Sequence, residues 1–252
     1  VYDYFDWEYP EVVHWGHVEV DAFDVPMSTS SIKEHIAEDD LTGWDDPRAP
    51  TLRAMRRRGI RGEAIVEAMA ELGVSNSNVD LAMSSVYAAN RELVDDEAPR
   101  RFLVRDGVEF ALTGADRPAA GHPPVHPDHP ERGDREVPAG DVVMVEPDDV
   151  PGNGERVWLK GYGAVRREDD AFVATSDDID VVREGDVSVV HWVCAEESVP
   201  VRLRTPAGEE TGRAEPTVAD DEPDAVVQFE RVGFARIDRH DDAETVTFFA
   251  HP

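Results

Sequence analysis

The 252-residue chain contains one cysteine, Cys194, and two lysines, Lys33 and Lys160. A single thiol excludes an internal disulfide framework and any cysteine-cluster zinc site. No apolar run approaches the ~20 residues of a membrane-spanning helix, and no signal-peptide pattern stands at the start. The GxSxG, P-loop and GxGxxG patterns are missing as well. A soluble cytoplasmic protein is expected.

The lack of lysine is one side of a charge imbalance. The chain carries 55 acidic against 25 basic side chains, a formal net charge of -30, and all basic residues other than the two lysines are arginine. Lysine is a common solubilising surface residue, so its replacement by Asp and Glu suits molar salt. There the Debye length is only about 3 Å and the repulsion is screened. High net charge also favours disorder, but 40% hydrophobic content and five tryptophans argue for a folded core. The composition therefore reads as that of a halophile's cytoplasmic protein.

The first 26 residues alternate apolar positions, among them Val18, Val20 and Phe23, consistent with strands or short turns. There is no initiating Met, and the opening Val1-Tyr2-Asp3-Tyr4-Phe5 reads as part of a longer protein. From Ser30 to about Pro99 the period becomes helical. Ile32, Ile36 and Leu41 suggest a short helix with Ser30 or Ser31 near its cap. Thr51 to Arg58 follows, with Pro50 near its start and Gly59 as its stop, then residues 63–72 closed by Gly73, then about 78–94. After Arg100 short Val- and Phe-rich runs alternate with Asp, Gly and Pro clusters, the pattern of an all-β sandwich or barrel set. The windows Ala115 to Pro138 and Pro206 to Pro223 read as loop and connecting stretch.

One window opposes the charge of the rest. Residues 47–62 hold Arg48, Arg53, Arg56, Arg57, Arg58 and Arg61 and no acid. These arginines either pair with surrounding carboxylates, aided by a helix C-terminal dipole, or offer planar donor forks to a phosphate backbone. The preceding Met27-Ser28-Thr29-Ser30-Ser31-Ile32-Lys33 is a hydroxyl-rich turn entering a helix, either an ordinary cap cluster or a phosphate cradle. His122, His126 and His129 lie close together in a proline-rich loop that supplies no evident supporting shell, and no metal is expected there. Cys194 sits in an apolar run and reads as a small buried hydrophobe.

Taken in order, these strings resemble a known family. Met27 to Lys33, Gly43-Trp44-Asp45-Asp46-Pro47-Arg48 and Pro50-Thr51-Leu52-Arg53-Ala54-Met55-Arg56-Arg57-Arg58-Gly59-Ile60 are similar to the archaeal-type glutamyl-tRNA synthetases. The resemblance continues through His126-Pro127, Gly133-Asp134-Arg135-Glu136-Val137-Pro138, Val190-His191-Trp192-Val193, Glu215-Pro216 and Gln228-Phe229-Glu230-Arg231-Val232-Gly233-Phe234. Met27-Ser28-Thr29-Ser30 occupies the place of the KMSKS signature of class I synthetases. Both signature lysines are absent, Pro26 and Thr29 standing in their places. The HIGH motif and the amino-acid pocket would precede Val1.

The resemblance implies an α+β fold, a helical stem-contact unit followed by two anticodon-binding β-barrels of the glutaminyl/archaeal glutamyl-tRNA synthetase type. It implies residues 1–106 as the end of a class I catalytic core with the helical unit, 107–140 with 198–252 as the proximal barrel, and 141–197 as the distal barrel. The parent would be a glutamate–tRNA ligase using ATP, with Mg as its counter-ion, and glutamate-accepting tRNA, with glutamine-accepting tRNA left open. These residues alone would lack aminoacylation activity. Met27, Ser28, Thr29, Ser30 and Lys33 would address the ATP phosphates. Arg48, Arg53, Arg56, Arg57, Arg58 and Arg61 would meet the tRNA backbone, and Arg135, Gln228 and Arg231 the anticodon. The alternatives are a glutaminyl enzyme of the same architecture, a non-catalytic RNA-binding β-barrel protein, or an acidic β-rich binding module.

Overall fold

The computed structural model describes residues 1–20, 22–73, 75–176, 182 and 187–252. Its first part is helical: α1 (Tyr2–Phe5), α2 (Thr29–Ala37), α3 (Leu52–Arg58), α4 (Gly62–Leu72) and α5 (Met83–Val94). The Thr51 hydroxyl caps α3 by accepting the Ala54 N–H at 3.0 Å, and Gly59 ends it in the left-handed region. The expected 78–94 helix begins late. Val79–Leu81 is a strand that pairs in parallel with Val18–Val20, and the helix starts at Met83. Leu81, Met83 and Val86 are buried there with Met55 and Ile60, so α3, α4 and α5 share one apolar cluster.

The remainder is sheet-rich. Two seven-stranded sheets each end on neighbouring stretches of the chain, which closes them into barrel-like rings. In one ring, Arg100–Arg101 pairs with Val226–Phe229 and Leu103–Arg105 pairs with Gly208–Ala214. Between those edges lie Gly233–His240, Thr245–His251 and Val199–Thr205. The segment 100–105 is therefore the seam. The other ring contains Arg156–Leu159, Gly163–Glu168, Ala171–Ser176, Val108–Thr113 and Val142–Val145. Its seam is Ser188–Val190 with Val193–Cys194, broken at the buried Trp192.

This pairing redraws the expected division. Val108–Thr113, anticipated in the barrel with 198–252, is hydrogen-bonded instead to Val142–Val145 and Ala171–Ser176. Phe110 and Leu112 bury there beside Val143, Val145 and Phe172. Residues 100–105, anticipated at the end of the helical unit, close the other ring because Leu103 belongs with Val201, Leu203 and Val227. Part of the expected 141–197 unit, residues 177–181 and 183–186, lies outside the described residues. Among the described residues no helix is long and apolar enough to cross a membrane.

Candidate nucleic-acid interface

The Trp44 to Arg48 turn sets the arginine helix. Buried Asp46 accepts from the Thr42 N–H and hydroxyl and from the Arg48 N–H, Nε and Nη2, at 2.8 to 3.0 Å. Burial favours the neutral acid, yet these donors hold its carboxyl well below the usual range. The Thr51 hydroxyl then donates to the Trp44 carbonyl, so the turn and the start of α3 are one rigid piece.

The six arginines separate into distinct environments. Arg48, expected at the tRNA backbone, folds back onto Asp46 and the Asp40 carbonyl. Arg48 keeps 42% of its side chain exposed, whereas Arg58 is a correction, being 1% exposed. It donates to the Phe249 and Ala250 carbonyls and the Tyr87 hydroxyl, and fastens α3 to the C-terminal strand. A guanidinium at the last turn of a helix that lies against a barrel is turned inward by that docking. Arg57 is half-buried, bridges Asp45 and Asp238, and lies 4.4 Å over the Phe248 ring. Arg61 is exposed and meets Glu97 at 3.3 Å. Arg53 and Arg56 are exposed and have no carboxylate partner among the described residues.

Arg53, Arg56, Arg57 and Arg61 line one side of a groove of roughly 940 Å³, closed on the other by strand residues Val226 and Arg236. Arg236, which sequence reasoning missed, is held there by Asp224 and Asp238. Only the pairing of Val226 with Arg236 brings it to this face, so nothing local announces it. The groove holds more arginines than carboxylates in a chain of net charge -30.

At the head of the helical unit, Met27, Ser28, Thr29 and Ser30 are all exposed. The cap is Ser28, earlier than the expected Ser30 or Ser31, and its hydroxyl caps nothing. The first helical bond runs from the Ile32 N–H to the Ser28 carbonyl at 2.9 Å, and the Ser28 N–H donates to the Pro26 carbonyl at 2.7 Å, so the N–H groups of Thr29, Ser30 and Ser31 are the ones open to an anion. Lys33 is exposed one residue further on. Met27 to Thr29 share a cavity of roughly 520 Å³ with Thr51, Leu52 and Arg53, so Arg53 borders both this loop and the groove.

The remaining candidates lie at the junction of the two rings. Arg135 is a second correction: its side chain is 3% exposed. It donates to Glu215 at 2.8 Å, Glu230 at 3.1 Å and the Pro124 carbonyl, and stacks 4.6 Å over Phe102. Glu230 also takes Lys160 and faces His191 at 3.6 Å. Burial would raise the Glu230 pKa, but Lys160, His191 and Arg135 together bring it below the usual value. Arg231, in the left-handed region at φ 65°, reaches the other ring to pair with Asp149. Gln228 is half-buried, and no hydrogen bond engages its amide among the described residues.

The histidine loop has its own logic. Asp95, His126 and Asp128 approach one another closely enough to hold an ion. His126 Nδ1 accepts the Asp128 N–H at 3.1 Å, so Nε2 carries the proton given to the Asp95 carbonyl at 2.9 Å. Neither ring nitrogen retains a lone pair for a metal. Arg132 joins the Asp96 and Glu97 carbonyls, so this loop ties the end of α5 to the barrels. Cys194 is buried and donates to Glu196 at 3.0 Å.

A helical unit carrying an open arginine groove is thus joined to two barrel-like rings. Family models match successive parts of this chain. The model described as tRNA synthetases class I (E and Q), catalytic domain, matches residues 1–96. Two models described as the anti-codon binding domain of the same class match residues 98–183 and 189–238. Each of the three successive matches thus carries a description that names the class I tRNA synthetases of the E and Q type.

Its relatives narrow the comparison. A protein named glutamate–tRNA ligase from Natronomonas pharaonis is 67% identical over the whole chain, which covers 44% of that protein. Proteins of the same name from Haloquadratum walsbyi and Halobacterium salinarum are each 58% identical over the whole chain, which covers 44% and 45% of them. The chain thus spans less than half the length of these relatives.

Proposed function

We propose that these residues form the tRNA-recognition part of a glutamate–tRNA ligase, working in the cytoplasm of a halophile. The parent reaction would join glutamate to ATP, giving glutamyl-adenylate and pyrophosphate, and then move glutamate to the terminal ribose of tRNA. The arginine groove is the observation that carries the reading, because a cationic face in so acidic a chain fits an RNA backbone. Relatives named for glutamate favour that amino acid over glutamine.

The open turn at Met27 to Ser30 suits a polyphosphate, and Lys33 adds a charge where both signature lysines are missing. The hydroxyls and N–H groups would stabilise negative charge on departing pyrophosphate. ATP, with Mg, would supply the activating phosphoryl chemistry. Arg53, Arg56, Arg57 and Arg61 are assigned to the tRNA backbone with Arg236. The helical unit would contact the tRNA stem, and the two rings would be the family's anticodon barrels. Gln228 would read a base edge and Arg231 would exchange Asp149 for RNA. Arg135 would position the junction through Glu230.

The test is binding of this chain to glutamate-accepting tRNA in molar KCl, where the non-specific phosphate contribution is suppressed. An anticodon-substituted tRNA should bind at least tenfold more weakly. Arg53→Gln with Arg56→Gln should weaken both tRNAs alike and flatten the salt dependence. Equal binding of the two tRNAs would remove the anticodon assignments, and unaltered binding by the double variant would remove the groove.

A further inference from the structure

We infer that Asn90 is a positioning residue for the arginine groove, holding its floor through a hydrogen bond that only neutral His251 can accept. The inference rests on the RNA reading of that groove. Residues 59–62 form the turn between α3 and α4 and line the groove beside Arg53, Arg56 and Arg57. Asn90 reaches this turn from α5 and is fully buried. Its Oδ1 accepts the Arg61 N–H at 2.7 Å, and its Nδ2 donates to the Gly59 carbonyl at 3.4 Å. The same Nδ2 lies 3.0 Å from Nε2 of His251, which is buried in the strand Thr245–His251.

The neighbours fix where the protons sit. His251 Nδ1 lies 3.1 Å from the Pro252 carbonyl, which can only accept, so Nδ1 carries the proton and Nε2 keeps a lone pair. Asn90 must then turn its NH2 to His251 and its oxygen to Arg61. The Gly59 carbonyl, also an acceptor, agrees with that orientation. A second proton on His251 destroys the agreement. Its Nε2–H would meet the Asn90 NH2, donor against donor. Turning the amide over would instead set the NH2 against the Arg61 N–H. Either way a buried donor beside the groove loses its acceptor, which is costly.

The surroundings favour the neutral imidazole. It stacks on Tyr87 at 5.6 Å and meets Phe234 at 4.9 Å. The charges that act on it are both cationic, Arg58 from α3 and Arg91 from α5, and Tyr87 is its other titratable neighbour. Burial, with these two arginines, holds its pKa below the ordinary histidine value, although the Pro252 carbonyl opposes the shift. The hydrogen bond to Asn90 is therefore intact at neutral pH and is lost as pH falls below the usual histidine range.

The experiment follows binding of this chain to glutamate-accepting tRNA in molar KCl between about pH 7.5 and about pH 4.5, on either side of the histidine range. His251→Gln is measured beside it, because the Gln oxygen can accept from Asn90 and does not titrate. Protonation of surface carboxylates affects both proteins alike, so the ratio of their affinities isolates the histidine. The two should bind equally at the neutral end, and the unaltered chain should become about fivefold weaker at the acid end, the worth of one hydrogen bond. Asn90→Asp offers acceptors both to protonated His251 and to the Arg61 N–H, so its affinity should follow the opposite course and weaken as pH rises. Without RNA, the Arg61 amide resonance of the unaltered chain should move with the midpoint of the His251 imidazole. An unmoved Arg61 resonance, or parallel pH courses for the unaltered chain and His251→Gln, overturns the inference. If Arg53→Gln with Arg56→Gln still lowers tRNA affinity, only this inference fails; absence of tRNA binding by the unaltered chain fails both readings.

Discussion

His191 stays neutral at physiological pH because it is packed away from water. It stacks on Phe102 at 4.8 Å, and burial pushes its pKa down to about 4 even though Glu230 opposes the shift. Lys160, Arg231 and Asp149 are the other charges that act on it. The unfolded chain would take up this proton near pH 6.5, the folded one only near 4. The folded state therefore binds fewer protons within that window, and stability falls as pH drops from about 6.5 to about 4, by up to about 3 kcal/mol. Glu230 acts lower: its depressed pKa gives stability that is lost below the ordinary carboxylate range. His191→Gln should flatten the urea midpoint between pH 6.5 and 4 while leaving the more acidic limb. An unchanged slope in that variant would mean that another group controls it. The junction also uses one of only two lysines, Lys160, against Glu230.

At the scale of elements, α3 is held at both ends: Thr51 anchors its start, and Arg58 and Gly59 its finish on the barrel. Gly59 has φ 93°, and a Cβ there would lie 3.1 Å from the Arg236 Cβ and 3.2 Å from Val226. Gly59→Ala combines a left-handed penalty with crowding, about 1–2 kcal/mol, or a fall in melting temperature of roughly 2–8 °C. An unaltered melting temperature would show that the helix end relaxes freely. This helix was legible in the sequence because its cap, arginines and stopping glycine are all local. Val79–Leu81 was not, since three alternating residues become a strand only with Val18–Val20 beside them. Gly208–Ala214 reads Gly-Glu-Glu-Thr-Gly-Arg-Ala, with only Ala214 buried, and its strand character comes from neighbours on both sides. The arginine cluster stood out as charge, but which members face outward depends on how α3 docks. That is why Arg58 is buried against the barrel and Arg236 lines the groove.

At the scale of the molecule, the arginines are shared out among the acids. Arg57 bridges Asp45 and Asp238, Arg105 bridges Glu146 and Glu210, and Arg202 bridges Glu209 and Glu244. Even so, a net charge of -30 leaves a large surplus of carboxylates over cationic side chains. Exposed ion pairs contribute only about 0–1 kcal/mol each, so their loss by screening is small. Unscreened repulsion among the surplus acids acts over a Debye length of about 10 Å at 0.1 M salt and about 3 Å at 1 M. Repulsion should dominate, so this chain should gain stability with salt where a charge-balanced protein would change little. Circular dichroism melts in 0.1 M and 2 M KCl should show a higher melting temperature in the latter, each kcal/mol gained raising it by roughly 2–4 °C. Sucrose at matched osmolality separates charge screening from general exclusion of co-solute, because it is excluded from protein surfaces without screening charge. A gain reproduced by sucrose, or a folded signal that survives dialysis to low salt unaltered, would refute the argument from charge.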